Sequence, residues 1–326
     1  MKKLLLSLII VLCSTSLAWA DGMRGDVNGD NAVTPADISA IIDYLLGSTT
    51  TISPNAADLN RDGTVTPADI SVLIDYLLNG TWPDEPEPAG EVFTVNGVSF
   101  TMIPVEGGTF MMGATSEQGT DATNDEIPVH QVTLSSYAIG QTEVTQELWE
   151  AVMGSNPSRY VGAQRPVHYI RWNDCQTFIS RLNELTGRNF RLPTEAEWEF
   201  ASRGGNLSQG YKYSGSNDVN EVAWYWYTLP SWSSSDPGYG PQPVATKAPN
   251  ELGIYDMSGN VNEWCQDWFD DYSSSAQVNP TGPTRGDDRV RRGGGFMGSA
   301  KNVRVSARYD ADPIGYSSDL GMRLAL

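Results

Sequence analysis

The sequence predicts a large α+β domain preceded by a small all-α module that carries calcium-binding loops. The first observation is a loop-and-helix pattern that occurs twice, as GDVNGDNAVTPADISAIIDYLLG at residues 25–47 and as ADLNRDGTVTPADISVLIDYLLN at residues 57–79. The second is the region from residue 92 onward, where short apolar strands alternate with a few helices among many Gly and Trp residues, as in α+β folds. Between the two lies TWPDEPEPAGE, residues 81–91, whose Pro- and acid-rich composition predicts a semi-rigid linker.

The first 20 residues, MKKLLLSLIIVLCSTSLAWA, have the order of a secretory signal peptide: a charged start, an apolar stretch and an Ala18-Trp19-Ala20 cleavage site. The apolar stretch is shorter than the roughly 20 residues that a membrane-spanning helix needs, and no later stretch is long and apolar enough. We therefore expect an exported protein, located outside the cell, on its surface or in the periplasm, without membrane insertion. The predicted parts are the signal peptide at 1–20, the small module at 21–80, the linker at 81–91 and the large domain at 92–326.

The charge balance and the cysteine count limit the partners and the chemistry. The chain has 40 acidic and 21 basic residues and a net charge of −19. Nucleic acids and anionic membranes bind clusters of Lys and Arg, so the sequence predicts neither as a partner, whereas cation binding is compatible with this charge. Two cysteines follow the signal peptide, Cys175 and Cys265, and an even count in an exported protein predicts a disulfide between them.

Each copy of the repeat opens with oxygen-bearing side chains at alternate positions. In a tight loop this alternation turns the first, third and fifth side chains toward one point. A backbone carbonyl at the seventh position and a carboxylate at the twelfth complete the oxygen shell that Ca²⁺ prefers. The predicted ligands are Asp26, Asn28, Asp30, Ala32 and Asp37 in the first copy, and Asp58, Asn60, Asp62, Thr64 and Asp69 in the second.

A helix with one apolar face follows each loop, so the two helices can bury those faces against each other. The duplicated pattern, with VTPADIS and DYLL in both halves, resembles a type I dockerin. That resemblance implies calcium as the bound ion and a cohesin-type domain as the docking partner. Two alternatives stay open: an acidic hairpin without metal, and a module that packs on its own large domain and docks nowhere.

Local signals predict individual elements of the large domain. A hairpin is expected at Asn96-Gly97, the strongest short turn signal. Helices are expected in QTEVTQELWEAVMG and in WNDCQTFISRLNEL. A third helix should begin in FRLPTEAEWEFASRGG at a capping box formed by Thr194 and Glu197.

Five segments of the large domain, in this order, resemble the sulfatase-modifying factor family, also called the formylglycine-generating enzyme family: EVTQELWEAVMG, RLPTEAEWEFASRGG, PNELGIYDMSGNVNEW, RVRRGGGF and DLGMRL. The resemblance implies a C-type-lectin-like fold with few regular elements, stabilised by calcium. The oxidases of the family use two cysteines near an RGGS turn to bind copper and to oxidise a cysteine of a sulfatase. In RRGGGFMGSAKNVRV the matching positions are Gly298 and Val303, with Gly295 in place of the serine. Because Cu(I) needs soft thiolate ligands, the sequence predicts no such oxidation.

The resemblance also implies a calcium site in YDMSGNVNEW. Side chains of Asp256 and Glu263 and the carbonyls of Gly259 and Val261 would be its ligands, and oxygen donors of this kind suit Ca²⁺. The alternative is a turn in which Glu263 accepts backbone N–H groups. A further branch of the family uses histidine-ligated iron, but His130 and His168 are isolated here and are predicted to make structural hydrogen bonds.

The aromatic run WYWYTLPSW, residues 224–232, has two interpretations. Its rings could line a groove for a sugar or a peptide, or alternate rings could fill a loop-rich core, which is the interpretation we prefer from sequence. The favoured function is an exported, polysaccharide-associated, non-catalytic binding or scaffold protein, in which the dockerin-like module presents a lectin-like domain to a carbohydrate or protein ligand. The alternative is a divergent enzyme of the formylglycine-generating family or a hydrolase, and the missing thiol pair discriminates against it.

Overall fold

The computed structural model describes residues 24–30, 33–48, 52–59, 64–79, 90–236 and 238–326. The chain divides into two compact units, residues 1–87 and 88–326. The predicted signal peptide and almost all of the predicted linker lie outside the described residues. No helix in the described ranges is long and apolar enough to cross a membrane.

In its described residues the small unit has three helices around one apolar core. Helix α1 begins at a capping box in which Thr34 and Asp37 bond each other's backbone, and α1 packs against α3. The buried residues come from both repeats, because each repeat contributes the apolar face of its helix and a residue of its loop. The helices are α1 (Pro35–Leu45), α2 (Pro54–Ala57) and α3 (Pro67–Asn79), and the core is Val27, Ala40, Ile41, Ala57, Leu59 and Leu73.

The large unit has three small sheets connected by long loops and short helices, which confirms the predicted α+β class. The first sheet has the antiparallel order β1-β2-β5, and the second has the order β3-β4-β7 with β4 and β7 parallel. The third has the order β10-β6-β8-β9 with β10 and β6 parallel. The strands are β1 (Glu91–Val95), β2 (Val98–Val105), β3 (Thr109–Met112), β4 (His130–Thr133), β5 (Tyr137–Gly140), β6 (Asn262–Trp268), β7 (Gln277–Val278), β8 (Arg289–Arg292), β9 (Arg308–Ala311) and β10 (Leu320–Met322).

The predicted local elements are present. Asn96 and Gly97 both have positive φ in the turn that joins β1 to β2, as the hairpin prediction requires. Helix α6 begins at Thr194, and its capping box with Glu197 is formed. The helix predicted in QTEVTQELWEAVMG is shorter than expected, since it begins only at Gln146. The helices are α4 (Gln146–Met153), α5 (Trp172–Thr186), α6 (Glu195–Ser202) and α7 (Val219–Val222).

The predicted disulfide is wrong. Cys175 and Cys265 are both free thiols, and both are completely buried. Cys175 belongs to the apolar core around helix α5, whereas Cys265 belongs to a second core around helix α6. Each thiol is therefore a packing residue of its own core, and burial raises the pKa of both well above the usual range.

Among the described residues, four hydrogen-bonded buried ion pairs connect the last part of the chain to the rest of the large unit, and Arg292 Nε also lies 3.7 Å from Glu195 Oε1. Each joins an arginine after residue 290 to a glutamate earlier in the sequence, and all eight side chains are buried. Such pairs are costly to break, because removing one partner leaves the other charged in a low-dielectric interior. They are Arg292–Glu199, Arg304–Glu126, Arg308–Glu195 and Arg323–Glu263.

Candidate functional site

The first calcium loop already brings its leading ligand side chains into one turn. The backbone N–H of Asp30 donates to Asp26 Oδ1 and to Asn28 Oδ1, each at 2.9 Å. The Asn28 amide donates in turn to Asp30 Oδ2 at 3.0 Å. These oxygen donors fit a hard cation. Of the other predicted ligands, Ala32, Asn60 and Asp62 lie outside the described residues.

The carboxylates at the twelfth position, Asp37 and Asp69, connect each loop to the start of its helix by hydrogen bonds. Asp37 accepts N–H bonds from Val27 at 2.8 Å and from Thr34 at 2.9 Å. In the second copy Asp69 accepts the same bonds, from Leu59 and from Thr66, both at 2.7 Å. Burial, and to a smaller extent the charge of Asp30, raises the pKa of Asp37, and a bound cation would favour its charged form.

We expect the protein to bind two Ca²⁺ ions through this module and to lose helicity in chelator, because metal binding contributes folding energy to small modules. Calorimetric titration of calcium into chelator-treated protein measures the stoichiometry, and circular dichroism measures the helix content. Replacing Asp58 by Ala should reduce the stoichiometry to one ion. Asp43→Ala, an exposed aspartate of helix α1 outside the predicted ligand set, is the matched control. A native protein that takes up no calcium would contradict the prediction.

The motif predicted as a second type of calcium site contains a buried ion pair. Glu263 accepts from Arg323 Nη2 at 2.7 Å and from Trp198 Nε1 at 2.6 Å. Both of its oxygens are engaged in this way by side chains rather than by backbone N–H groups. Glu263 as a calcium ligand stays a prediction, and both of its oxygens already accept hydrogen bonds from buried side chains. Gly259 and Val261 lie in the turn before it, both buried.

Two further acids share this buried cluster, and one of them was not predicted. Glu143 accepts from the Asn260 amide at 2.7 Å and from Val261 N–H at 3.0 Å. Burial and the charges of Asp256 and Glu263 raise its pKa well above the usual range. Burial also raises the pKa of Asp256 to about 6.

Asp256 keeps one oxygen that could take a cation. Its Oδ2 accepts from Ala245 N–H at 2.8 Å, whereas its Oδ1 is buried without a hydrogen-bond partner among the described residues. Within those same residues no group of three His, Cys, Asp or Glu side chains is placed to hold a metal ion. Calcium at this motif stays a prediction, and Asp256 is the side chain that would support it.

The positions that match the oxidase thiols have separate structural roles. Val303 is completely buried in a small apolar cluster with Tyr213 and Tyr225. The carbonyl of Gly298 accepts from Trp226 N–H at 3.0 Å. A Cβ atom at Gly295 would lie 2.7 Å from the Asp319 Cβ atom, so no larger residue fits there without a shift.

An exposed aromatic surface adjoins Gly298. We call Trp226, Tyr227 and Trp232 the aromatic face; they are 36%, 69% and 63% exposed. The Trp232 indole N–H donates to the Trp226 backbone carbonyl at 3.0 Å, which orients the Trp232 ring relative to the backbone at Trp226. Tyr225 is the only aromatic residue of this run that is buried, so the preferred interpretation of the run as core is wrong for these three rings.

The two histidines make structural hydrogen bonds, as predicted. His130 is the first residue of strand β4, and its Nδ1 lies 3.1 Å from the Pro128 carbonyl. His168 is not in a strand, but its Nε2 accepts backbone N–H groups from Arg159 and Tyr160, each at 3.1 Å. Burial lowers the pKa of His168 to about 4, so this ring is neutral at neutral pH.

Two family descriptions match the chain. Residues 95–326 match the sulfatase-modifying factor enzyme 1-like domain, and residues 24–78 match the dockerin type I domain. These matches confirm the predicted relationship of both folded units.

Individual proteins show the same relationship. The chaperone protein LppX of Paenibacillus barcinonensis is 34% identical over 271 residues, which cover 70% of this chain and 89% of LppX. The formylglycine-generating enzyme of Streptomyces coelicolor is 29% identical over 302 residues, which cover 74% of this chain and 92% of that enzyme. Other curated relatives are longer, and the chain spans as little as 37% of their length.

Among solved structures, Treponema denticola variable protein 1 has the same fold. It shares 34% identity and superposes with a TM-score of 0.64, over 73% of this chain and 99% of that protein. The match confirms the predicted fold of the large unit.

Proposed function

The chain belongs to the sulfatase-modifying factor family through residues 95–326 and has a type I dockerin module at residues 24–78, and we propose that it is an exported, non-catalytic binding protein of that family. Its large domain would bind carbohydrate, and its dockerin would attach it, in a calcium-dependent way, to a cohesin-type domain outside the cell. The observation that carries this proposal is the aromatic face next to Gly298.

The residues at the thiol positions favour binding over oxidation. Gly298 has no side chain, and Val303 is enclosed by apolar neighbours. Burial raises the pKa of the thiols of Cys175 and Cys265, so neither is a ready thiolate ligand for copper, and both lie in apolar cores. Where an oxidase would place its reactive thiols, this chain has a half-buried glycine next to exposed rings and a fully buried valine.

The aromatic face has the properties of a carbohydrate platform. Exposed aromatic rings are costly to leave in water and commonly mark binding sites. Here the indole bond from Trp232 to the Trp226 backbone carbonyl orders the Trp232 ring before a ligand arrives, which lowers the entropy cost of binding. Ser233, Ser235 and Asp236 are exposed in the same loop and could hydrogen-bond sugar hydroxyl groups.

Removing both indoles should abolish carbohydrate binding. We expect the Trp226→Ala/Trp232→Ala variant to lose about tenfold affinity or more for each ring, because aromatic anchors supply most of the energy at such sites. Screening the native protein on a polysaccharide and glycan panel identifies the ligand, and affinity electrophoresis compares the variants.

Leu207→Ala is the matched control, since Leu207 is 56% exposed and lies outside the aromatic face. Equal binding by the double variant and the native protein would contradict the placement of the site. The native protein could instead bind no glycan and bind a protein through the same rings. In that case the ligand of the large domain is a protein and not a carbohydrate.

A further inference from the structure

A cavity of about 510 Å³ opens on the large unit and shares no lining residue with the aromatic face. It lies among strands β3, β4 and β7, the beginning of helix α6, and the two loops at residues 270–273 and 280–283. This volume is within the range of small-molecule sites, which combine apolar walls with a few placed polar groups.

The main polar group of the cavity is the carboxyl of Asp267. This side chain is only 4% exposed. Its Oδ2 accepts from Glu195 N–H at 3.0 Å, the one hydrogen bond that its carboxyl makes with the described residues. Oδ1 lies beside Gly282, close enough that a Cβ atom there would be 3.2 Å away. Gly282 has a φ of +69° and leaves the space beside Oδ1 without a side chain. Because Oδ1 accepts no hydrogen bond from the described residues, it is available to a ligand.

The charges that line the cavity are predominantly negative. Glu195 is neutralised by two hydrogen bonds of 2.7 Å from Arg308 and accepts a third from the Tyr272 hydroxyl. Asp270 and Asp271 are exposed among the lining residues. Of the basic side chains that line the cavity, Arg308 is therefore paired, and His130 is bonded to a carbonyl through Nδ1.

Apolar side chains form much of the remaining wall, namely Met112, Ala196, Trp268, Val278, Pro280 and Pro283. A ligand that fits both the apolar wall and the negative charge has an apolar chain and a positively charged end. We propose that this cavity binds a primary amine carried on an aliphatic chain, with the ammonium group on Asp267 Oδ1 and the chain against the apolar wall. The ligand could be a free amine or the lysine side chain of a partner, because both present the same group.

Binding of an ammonium group should depend on pH. Burial, followed by the charge of Glu195, raises the pKa of Asp267 to about 8. Below that pH the empty cavity holds a neutral acid, which must release its proton before it can pair with ammonium. The amine itself stays charged up to about pH 10. Affinity should therefore increase about 50-fold from pH 6 to pH 8. The charged and titratable groups around Asp267 are Glu195, Glu197, His130, Cys265, Asp270, Asp271, Tyr272, Arg289 and Arg308.

Calorimetric titration of the full exported protein with pentylamine tests the proposal, and 1-pentanol is the neutral probe of the same length. We expect pentylamine to bind at millimolar concentration, to bind more tightly at pH 8 than at pH 6, and to release a proton into the buffer. N-acetyl-lysine methylamide, titrated in parallel, shows whether a lysine side chain or a free amine is preferred. Equal binding of the alcohol, or affinity that decreases above pH 8, would overturn the proposal.

Two variants locate the site. Asp267→Asn keeps an acceptor for Glu195 N–H and should weaken pentylamine binding at pH 8 about tenfold or more, with no remaining increase between pH 6 and pH 8. Val278 lines the cavity and is 73% exposed. Val278→Lys therefore leaves folding unaffected, and its ammonium group repels the bound pentylamine. Asp287→Asn, an exposed aspartate that does not line the cavity, is the matched control. If Asp267→Asn and Val278→Lys both bind pentylamine with native-like affinity, this cavity is not the amine-binding site.

Discussion

Replacing Arg292 by Met should lower the free energy of unfolding of the large domain by about 3–5 kcal/mol. Arg292 is completely buried at the end of strand β8. It pairs with Glu199 and donates to the carbonyls of Val305, Ser306 and Ala307 at 3.1, 2.8 and 2.6 Å. Methionine fills a similar volume but leaves these acceptors buried without a donor. Glu199 loses its buried partner and keeps Arg203 and the Gly113 N–H.

Thermal unfolding followed by near-ultraviolet circular dichroism measures this effect, since buried tryptophans of the large domain report its packing. For a domain of this size the expected loss corresponds to a decrease in Tm of roughly 10 °C. Arg291→Met is a matched control, because Arg291 is half-buried and donates one bond of 3.2 Å to the Asp310 carbonyl. A similar decrease in Tm for both variants would show that the effect arises from lost charge rather than from the buried contacts.

The sequence predicted those features that are determined by neighbouring residues. The Asn96-Gly97 turn and the Thr194 capping box each depend on residues within one turn of the chain. The buried ion pairs do not, since Arg304 and Glu126 are separated by 178 positions. Arginine and glutamate are usually exposed, so neither residue type nor spacing indicates such a pair.

The errors at the candidate site have the same origin. The sequence interpretation was that alternate rings of the aromatic run fill the core. Tyr225 is buried but Tyr227, two positions on, is exposed, because the chain turns there. Thr228 N–H bonds the Tyr225 carbonyl at 2.9 Å in this turn, and Trp226 N–H bonds Gly298 far along the chain. The disulfide was inferred from composition and compartment, which contain no information on the distance between Cys175 and Cys265.

The protein should form no formylglycine when it is supplied with copper, oxygen and a cysteine peptide derived from a sulfatase. Thiolates are needed both to hold Cu(I) and to transfer oxidation to the substrate cysteine. At the matching positions Gly298 offers no side chain and Val303 offers a buried methyl surface. Because the metal ligands themselves are missing, the expected result is complete absence of product rather than a reduced rate.

Mass spectrometry of the peptide measures this outcome, because conversion of the thiol to an aldehyde decreases the mass of the cysteine residue. The formylglycine-generating enzyme of Streptomyces coelicolor, 29% identical to this chain, is the positive control under the same conditions. Copper titration adds a second readout, since a chain without the thiol pair should show no thiolate-to-copper absorption. Formation of an aldehyde product by the purified protein would contradict the binding-protein proposal. Reaction of that product with a hydrazide would identify it as an aldehyde. The chain would then need another pair of reactive groups. Cys175 and Cys265 could not supply that pair in the folded state, because each is enclosed in a separate apolar core.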